Sequence, residues 1–443
     1  MATQDDINAF NASSTPACLL VLAAQTNNET ANRTIAVATV NDLPDLTLNT
    51  ITPGTVLWVN SLNIPVVAQV GCWTGLDDRE VRSDFPVGLA WAWGNNTCGR
   101  LGDNTTTNRL SPVSVVGGFI DWRQVSTGCQ HSLGVRVNGT AWAWGWNRSG
   151  RFGDNAVGTC TSSPVSVAGG FTDWCAISAG GEHSLALRTG GTAWAWGCWL
   201  GVGDNRSIDR SSPVSVAGGF SDWCQIGTGF NHSLGVRTGG SAWAWGFNFN
   251  GHLGDGTTVT KSSPVSVVGG FSNWCQVAGG SAHSVAVRTN CTAWAWGWNS
   301  SGQLGNNSTT DRSSPVSVVG QFDDWCRISA GAVHSVATRI GGSTWAWGLG
   351  NDGRLGDNTT TNKSSPVSVV GGFSDWCAVS GGDTHSAALR TNGTVWGWGR
   401  NTAGQLGDTT VTARSSPVSA VGGFTDWSQV DAGNYQTIAL RQF

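Results

Sequence analysis

The chain repeats itself with a period of about 51 residues, and this period constrains the fold more than any other feature. The tetrapeptide Trp-Ala-Trp-Gly, or once Trp-Gly-Trp-Gly, begins at Trp91, Trp142, Trp194, Trp243, Trp294, Trp345 and Trp396. A second tryptophan, usually preceded by Asp, keeps the same spacing at Trp122, Trp174, Trp223, Trp274, Trp325, Trp376 and Trp427. Two markers with one period indicate a repeat architecture, either a closed propeller or an open solenoid.

Each repeat contains four segments with β-strand character. They are Pro-Val-Ser-Val, Trp-Cys-Gln-Val, His-Ser-Leu-Ala-Leu-Arg and Thr-Ala-Trp-Ala-Trp or close variants, and Gly, Pro, Asn and Asp separate them. We find no helical periodicity of useful length. Four short antiparallel strands in about 50 residues are typical of a propeller blade.

The Trp-Ala-Trp motif predicts how the blades pack. Successive residues of a strand point to opposite faces, so both indole rings project from one face and the alanine leaves the other face thin. We therefore expect the rings of one blade to lie over the thin face of its neighbour. Burial of so many large aromatic rings would distribute the stabilisation around the whole ring of blades.

The two ends of the repeat region predict closure. The first Trp-Ala-Trp-Gly strand, Leu89 to Gly94, lacks the His-Ser strand that precedes it elsewhere, and the last repeat stops at Phe443, where the next Trp-Ala-Trp-Gly would begin. An open solenoid would need polar capping repeats, and none is visible. The sequence therefore predicts an all-β, seven-bladed β-propeller over residues 85–443, closed by pairing of its N- and C-terminal strands.

Residues 1–84 carry no repeat. Apolar runs at 17–23, 35–40, 56–60 and 66–70 predict short strands, and prolines interrupt them. We expect a small β-rich segment that acts as an anchor or collar for the propeller.

The repeats resemble the regulator of chromosome condensation family. The resemblance rests on Trp-Gly-x-Asn-x-x-Gly-x-Leu-Gly at 296–305 and on Ala-Gly-x-x-His-Ser at 330–335, and it covers residues from about 88 to 443. It implies a seven-bladed propeller. The founding member is a nucleotide-exchange factor that also binds chromatin through loops and tails that break the repeat. Because the repeats here are uniform and the N-terminal segment is not basic, we expect neither activity.

A second resemblance lies in the N-terminal segment. The stretch from Pro53 to Asp77 is similar to segments in virion structural proteins of aquatic bacterial viruses. It implies a phage virion component, such as a fibre, decoration or tail-associated protein. Residues 1–84 would then contact other virion or surface proteins.

Composition and charge exclude several classes of function. The net charge is −4, only 12% of residues are charged, and there is no basic stripe, so we expect no nucleic-acid binding. No apolar run approaches 18 residues, so we expect no membrane span. The start of the chain lacks a basic and apolar leader, so we expect no signal peptide.

Repeated polar residues favour structural roles over catalysis. One histidine slot is filled at His131, His183, His232, His283, His334 and His385, and we expect buried imidazoles that bond their own turns. A catalytic base is needed once per site, not once per blade. There is no Cys-x-x-Cys pair, no phosphate loop and no calcium-loop spacing, so we predict a non-enzymatic protein without metal or cofactor.

The cysteines divide into two sets. Five follow the second marker tryptophan, at Cys175, Cys224, Cys275, Cys326 and Cys377, and would lie on separate blades, too far apart to pair with one another. The others are placed irregularly, and disulfides among them stay open.

Functional contacts are expected where the repeats differ most, which is the stretch after each Trp-Ala-Trp-Gly. These loops should share one rim of the ring. The candidate binding residues there are Trp146, Trp199, Phe247, Phe249, Trp298 and Arg400. Aromatic rings beside Asn and Asp suit contact with a host glycan or protein, although the rings could also tuck between blades.

Three functions stay open on the sequence. The first is a virion or extracellular structural protein that displays the propeller for assembly or host-surface contact. The alternative is a cytoplasmic regulator that binds a small GTPase or another protein through one propeller face. A secreted hydrolase that uses the propeller as a scaffold is the third.

Overall fold

A computed structural model describes residues 21–24, 55–59, 64–69, 88–320 and 322–442. The first three ranges form a small antiparallel sheet of β1 (Val21–Ala24), β2 (Thr55–Val59) and β3 (Ile64–Gln69) in the order β1-β3-β2. These strands overlap three of the four predicted for residues 1–84. The fourth, at 35–40, and the domain boundary after residue 84 lie outside the described residues, so both stay predictions.

The two inner strands of each repeat begin at the second marker tryptophan and at the histidine slot. The innermost strands are β6 (Trp122–Thr127), β10 (Trp174–Ala179), β14 (Trp223–Thr228), β18 (Trp274–Gly279), β22 (Trp325–Ala330), β26 (Trp376–Gly381) and β30 (Trp427–Ala432). The second strands are β7 (His131–Arg136), β11 (His183–Arg188), β15 (His232–Arg237), β19 (His283–Arg288), β23 (His334–Arg339), β27 (His385–Arg390) and β31 (Gln436–Gln442).

The two outer strands carry the Trp-Ala-Trp and Ser-Ser-Pro-Val-Ser motifs. The third strands are β8 (Ala141–Trp146), β12 (Ala193–Gly197), β16 (Ala242–Gly246), β20 (Ala293–Gly297), β24 (Thr344–Gly348), β28 (Val395–Gly399) and β4 (Gly88–Gly94). The outermost strands are β9 (Cys160–Ser166), β13 (Arg210–Ser215), β17 (Lys261–Ser266), β21 (Arg312–Ser317), β25 (Lys363–Ser368), β29 (Arg414–Ser419) and β5 (Arg109–Ser114). A proline in every outermost strand suits an exposed edge, because it withholds one hydrogen-bond donor there.

These strands form seven four-stranded antiparallel blades, which confirms the predicted fold; five blades are separate sheets, and blades 7 and 1 are joined where Gly88 of β4 pairs with Trp122 of β6. Blades 1 to 6 start at β6, β10, β14, β18, β22 and β26, and each follows chain order from the channel outwards. Blade 7 is β30-β31-β4-β5, so strands from the two ends of the repeat region share one sheet. The pairing of β31 with β4 runs from Gln436 opposite Gly94 to Gln442 opposite Gly88, as the predicted closure requires.

Side-chain hydrogen bonds and a disulfide link blade 7 to blade 1 at the junction that we call the seam. The Asp431 carboxylate of blade 7 accepts hydrogen bonds from Thr127 N at 2.8 Å and from Ser126 Oγ at 3.0 Å. A disulfide joins Cys98, which follows β4, to Cys160 at the start of β9. Polar and covalent links therefore reinforce the junction at which the ring shuts.

The blades pack as the Trp-Ala-Trp motif predicts. Trp243 and Trp245 of blade 3 lie in one apolar cluster with Ala193 and Ala195 of blade 2. Trp245 is fully buried, as are its equivalents in blades 1, 2, 4, 5 and 6. The same arrangement recurs around the ring, so no single indole holds the structure together.

We expect Ala195→Leu to destabilise the propeller by about 1–3 kcal/mol, because extra methylenes in a packed core force side chains or backbone to shift. Ala195 is fully buried beneath the neighbouring indole pair. Ala413→Leu on an exposed loop is the matched control and should leave stability unchanged. Chemical denaturation monitored by tryptophan fluorescence measures both. Equal stability of the two variants would contradict the packing that we describe.

Candidate binding rim and central channel

The candidate residues lie on one rim of the propeller. Because the strands alternate in direction, the loops between first and second strands emerge at the same end as those between third and fourth strands. Backbone bonds tie the two loop classes together, as from Trp146 N to Gln130 O and from Phe247 N to Asn231 O, each at 2.9 Å. We call these loops, residues 128–130 and 146–159 in blade 1 and their equivalents in the other blades, the loop rim.

Buried asparagines fix the outer loops of the rim. Asn147 is fully buried, accepts a hydrogen bond from Phe152 N at 2.9 Å and donates one to Asp154 Oδ1 at 2.9 Å. The same arrangement occurs at Asn96, Asn248, Asn299 and Asn401. The Gly-Asp pairs of the sequence therefore terminate loop turns. The glycine is required too, since a Cβ at Gly153, where φ is +73°, would lie 2.9 Å from Trp196 Nε1.

Five of the six candidates occupy four consecutive blades. Trp146 is half-buried in blade 1, with the Arg148 and Arg151 guanidiniums 5.6 and 5.7 Å from its ring. Trp199 begins the short helix α1 (Trp199–Val202) of blade 2 and is also half-buried.

Blades 3 and 4 carry the other aromatic candidates. Phe249 is 71% exposed and packs edge-on against the half-buried Phe247, with ring centroids 4.6 Å apart. Phe247 in turn stacks on the buried His252 at 5.8 Å. Trp298 of blade 4 is half-buried. The aromatic side chains are therefore anchored in the rim and present edges to solvent.

Arg400 lies apart from this arc. It belongs to blade 6, is half-buried, and its guanidinium sits 5.4 Å from the Tyr435 ring. The structure thus brings the five aromatic candidates onto one half of the rim and places Arg400 on the other half.

The rim also exposes aliphatic residues that sequence reasoning missed. Val157, Ile208, Val259 and Val411 are 60%, 50%, 59% and 55% exposed, and each occupies the polar loop that precedes an outermost strand. The signal was present in the sequence, since an apolar residue is out of place in a loop of mostly polar residues. Three of the four lie on blades 1 to 3, beside the aromatic candidates.

Buried arginines hydrogen-bond the backbone of the rim loops, and the sequence analysis did not identify them. Arg100, Arg151 and Arg354 occupy the variable position of Gly-x-Leu-Gly or Gly-x-Phe-Gly, and each is nearly or fully buried. Their Nη1 groups donate to the carbonyl oxygens of Cys129, Gly181 and Asp383 at 3.0, 3.2 and 2.9 Å. Burial lowers the pKa of Arg100 to about 10, which leaves it charged at neutral pH.

The histidine side chains at this repeated position hydrogen-bond residues of the next blade. The prediction that each imidazole bonds its own turn is therefore wrong. Ser184 Oγ of blade 2 donates to Arg151 O at 2.8 Å, and it therefore accepts the proton of His131 Nε2, 3.0 Å away in blade 1. Equivalent bonds join His183 to Ser233, His232 to Ser284, His283 to Ser335, His334 to Ser386 and His385 to Thr437. We call these six residues the histidine belt. Burial lowers the pKa of His183, His283 and His385 to about 3.

The innermost strands enclose a channel with a cavity of about 670 Å³. Glutamine side-chain amides join the innermost strands of neighbouring blades, an interaction that we call the glutamine staple. Gln124 Nε2 donates to Ile177 O at 3.1 Å, and Gln124 Oε1 accepts from Ile177 N at 3.0 Å. Gln225, Gln276 and Gln429 bond the next blade in the same way.

Two carboxylates face the channel. Asp431 lies in the wall, and Asp383 lies at the mouth with the Cys129 thiol 3.9 Å from its Oδ2. Burial raises the pKa of both, that of Asp383 to about 6, against the opposing charge of Arg354.

Within residues 88–320 and 322–442, no group of three His, Cys, Asp or Glu side chains is placed to hold a metal ion. In the same part of the chain, no helix is long and apolar enough to cross a membrane.

Two sequence models of the regulator of chromosome condensation (RCC1) repeat match the chain. One matches residues 88–135, 138–187, 239–287, 292–338, 341–389 and 392–440, and the other matches 122–151 and 376–405. The ranges that these two models match do not include residues 53–77, and the resemblance of that stretch to virion proteins stays an expectation.

Curated relatives cover the propeller in part. The ultraviolet-B receptor UVR8 of Arabidopsis thaliana is 28% identical over 287 residues, which are 62% of this chain and 64% of the receptor. Human E3 ubiquitin-protein ligase HERC2 is 26% identical over 376 residues, which are 80% of this chain and 8% of the ligase. The chain thus spans less than two thirds of the length of either relative.

Solved structures show the same fold. Prp20p of Saccharomyces cerevisiae superposes with a TM-score of 0.73 at 19% identity, over 80% of this chain and 92% of that one. Human WBSCR16 superposes with a TM-score of 0.71 at 20% identity, over 80% of this chain and 100% of that one. With the repeat model matched over more than half of its residues, the chain belongs to the RCC1-repeat family of β-propellers.

Proposed function

We propose that this chain is a non-enzymatic propeller that binds a protein partner through the loop rim of blades 1 to 4. The observation that carries the proposal is the concentration of exposed apolar side chains there, namely Val157, Ile208, Phe249 and Val259. Exposed apolar residues that gather on one part of a polar surface are characteristic of protein interaction sites. The half-buried rings of Trp146, Trp199 and Trp298 add the residue type that dominates binding energy at interfaces.

The opposite face of the ring supports the same assignment by contrast. There each blade repeats one unit, in which an arginine pairs with Asp or Asn and covers a phenylalanine. In blade 3, Arg237 pairs with Asp222 at 2.7 Å and lies 4.1 Å from the Phe220 ring. Side chains engaged in this way stabilise their own blade. This paired unit is the same in all blades, so it offers a partner little to distinguish one blade from another, and the exposed apolar residues of this face, Ile120 and Val137, lie on blade 1.

The relatives favour protein binding over the other functions that the sequence left open. The structure of Prp20p was reported with its binding to Gsp1p and histones, and a second structure has yeast Prp20 bound to Kap60. A partner of this chain is identified by its surface: a protein with an apolar patch that accepts Phe249 and its aliphatic neighbours. A glycan ligand, a small GTPase partner and contacts through residues 1–84 stay predictions.

The Cys98–Cys160 disulfide supports an extracellular setting, because disulfides persist in oxidising compartments and are rare in the cytosol. This observation favours display outside the cell, on a virion or otherwise, over the cytoplasmic regulator. It bears on location only, and the rim would bind a protein partner in either setting.

The rim is tested with Phe249→Ser combined with Val259→Ser, two exposed residues of one loop. We expect the protein partner recovered with the wild-type chain from its native source to fall by at least about tenfold, because central aromatic contacts dominate interface energy. The matched control is Ile120→Ser combined with Val137→Ser, which removes exposed apolar residues of the opposite face. Quantitative affinity purification compares the three proteins.

Both double variants should unfold like the wild type, because the four side chains are 48% to 71% exposed. Undiminished partner recovery with the rim variant, or an equal loss with the opposite-face variant, would contradict the proposal.

A further inference from the structure

The third position of the innermost strand is glutamine in four blades, alanine in two (Ala176 and Ala378) and arginine in one, at Arg327. In blades 1, 3, 4 and 7 a glutamine at the third position of the innermost strand bonds both backbone groups of the next strand. Gln276, for instance, accepts from Ile328 N and donates to Ile328 O, each at 3.1 Å. Blade 5 has Arg327 at this position, and the next strand presents Val379 in the register of Ile328.

Arginine cannot form both hydrogen bonds of the glutamine staple. A guanidinium has five donors and no acceptor, so it can serve the carbonyl of the next strand but not the N–H. Within residues 88–320 and 322–442, neither the Arg327 side chain nor Val379 N has a hydrogen-bonding side-chain partner, and no carboxylate pairs with Arg327. Arg327 is half-buried and lines the channel cavity, with the small side chains of Ala378 and Ser380 on the adjacent strand.

We propose that the central channel binds a small oxyanion, held between the Arg327 guanidinium and the N–H of Val379. An oxyanion supplies the acceptor that glutamine supplies in the other blades, and it pairs with the guanidinium through two parallel hydrogen bonds. The ligand class is a small molecule with a carboxylate or phosphate group. The site is separate from the loop rim and does not depend on the function proposed for it.

The size and charge of the channel suit such a ligand. A cavity of about 670 Å³ lies in the range of small-molecule sites and exceeds what a bare inorganic ion needs. Asp431, the carboxylate in the wall, already accepts from Ser126, Thr127 and Ser380 across blades 6, 7 and 1. The Asp431 carboxylate therefore bonds residues at the seam and does not neutralise the charge of Arg327, which lies two blades away.

The experiment titrates the full chain with inorganic phosphate and, separately, with succinate at constant ionic strength set by chloride, and follows binding by calorimetry. We expect one saturable site for at least one probe. Tighter binding of phosphate indicates a phosphate ester as the natural ligand, and tighter binding of succinate indicates a carboxylic acid. Absence of saturable binding of both probes up to about 10 mM would overturn the proposal, because a dissociation constant above that concentration is too weak for a specific site.

Arg327→Gln is the decisive variant, because it restores the residue of blades 1, 3, 4 and 7 and should keep or raise the melting temperature. We expect it to weaken binding at least about tenfold, since a charge-assisted bidentate contact is lost. Arg327→Ala serves as a second variant without the new amide. Arg312→Gln removes the same charge from the exposed outermost strand of blade 4 and should leave affinity unchanged. Full affinity in Arg327→Gln, or an equal loss in Arg312→Gln, would overturn the assignment.

Discussion

The propeller should lose stability steeply as the pH falls below about 6.5, and it should unfold near pH 5. Six belt histidines are fully buried and neutral, because burial lowers the pKa of all of them, to about 3 in His183, His283 and His385. In the unfolded chain each takes up a proton near pH 6.5. Because the unfolded state then binds more protons, the free energy of unfolding falls by about 1.4 kcal/mol per pH unit for each histidine.

Acting together, the six histidines give a slope of roughly 8 kcal/mol per pH unit, against a typical total stability of about 5–15 kcal/mol. The raised pKa values of Asp383 and Asp431 oppose this effect, since a folded carboxyl that binds its proton early gains stability as the pH falls. Two carboxyls offset only part of six imidazoles. Denaturant unfolding curves at pH 7.5, 6.5 and 5.5 measure the slope.

His283→Gln is the matched variant, because Gln436 fills the same slot in blade 7 and donates to Thr127 Oγ1 at 2.8 Å. It should fold and should take up about one proton fewer on unfolding near pH 5. A free energy of unfolding that stays constant between pH 7.5 and 5.5 would show that the belt histidines are not buried as neutral groups.

Removal of the seam disulfide is expected to destabilise the propeller by about 4 kcal/mol, because the cross-link restricts a long loop in the unfolded chain. Cys98 and Cys160 are 62 residues apart in sequence and belong to blades 7 and 1. The double variant Cys98→Ser, Cys160→Ser should therefore have a markedly lower melting temperature without reductant. Calorimetry on the oxidised proteins makes the comparison.

Cys377→Ser is the control for thiol loss, since Ser428 holds the equivalent slot in blade 7 and donates to Leu440 O at 3.3 Å as Cys377 does to Leu389 O. We expect its stability to change by less than about 1 kcal/mol. Equal effects of the serine substitutions at both places would mean that the seam gains nothing from its covalent link.

The blades were predictable because their signals are local and repeated. Two tryptophan markers with one period set the strand pattern, and the alternation in Trp243-Ala244-Trp245 showed which blade faces would interlock. The missing strand before Leu89 predicted closure with the C-terminal strand. Each of these inferences needs only strand geometry and the position of a residue within its repeat.

Inferences about partners between blades were less successful, and the reason is geometric. His131 lies between two blades, and the sequence does not say whether its ring reaches its own turn or Ser184 of the next sheet. The Cys98–Cys160 pair could not be assigned, because the two residues occupy different positions of their repeats. The sequence did not indicate a role for Arg327, because a change from glutamine to arginine in one repeat can be interpreted only when the residues that line the channel are known.

The closure of blade 7 has a consequence for synthesis and folding. The strand β4 pairs with β5 on one side, but its other partner, β31, leaves the ribosome roughly 350 residues later, so the hydrogen bonds between β4 and β31 form last. Until then the nascent chain presents an unpaired edge that carries Trp91 and Trp93, a surface prone to pair with other chains. A frameshift or stop codon that removes only β31 would leave that edge permanently open, and it would harm this protein more than the loss of a loop of equal length.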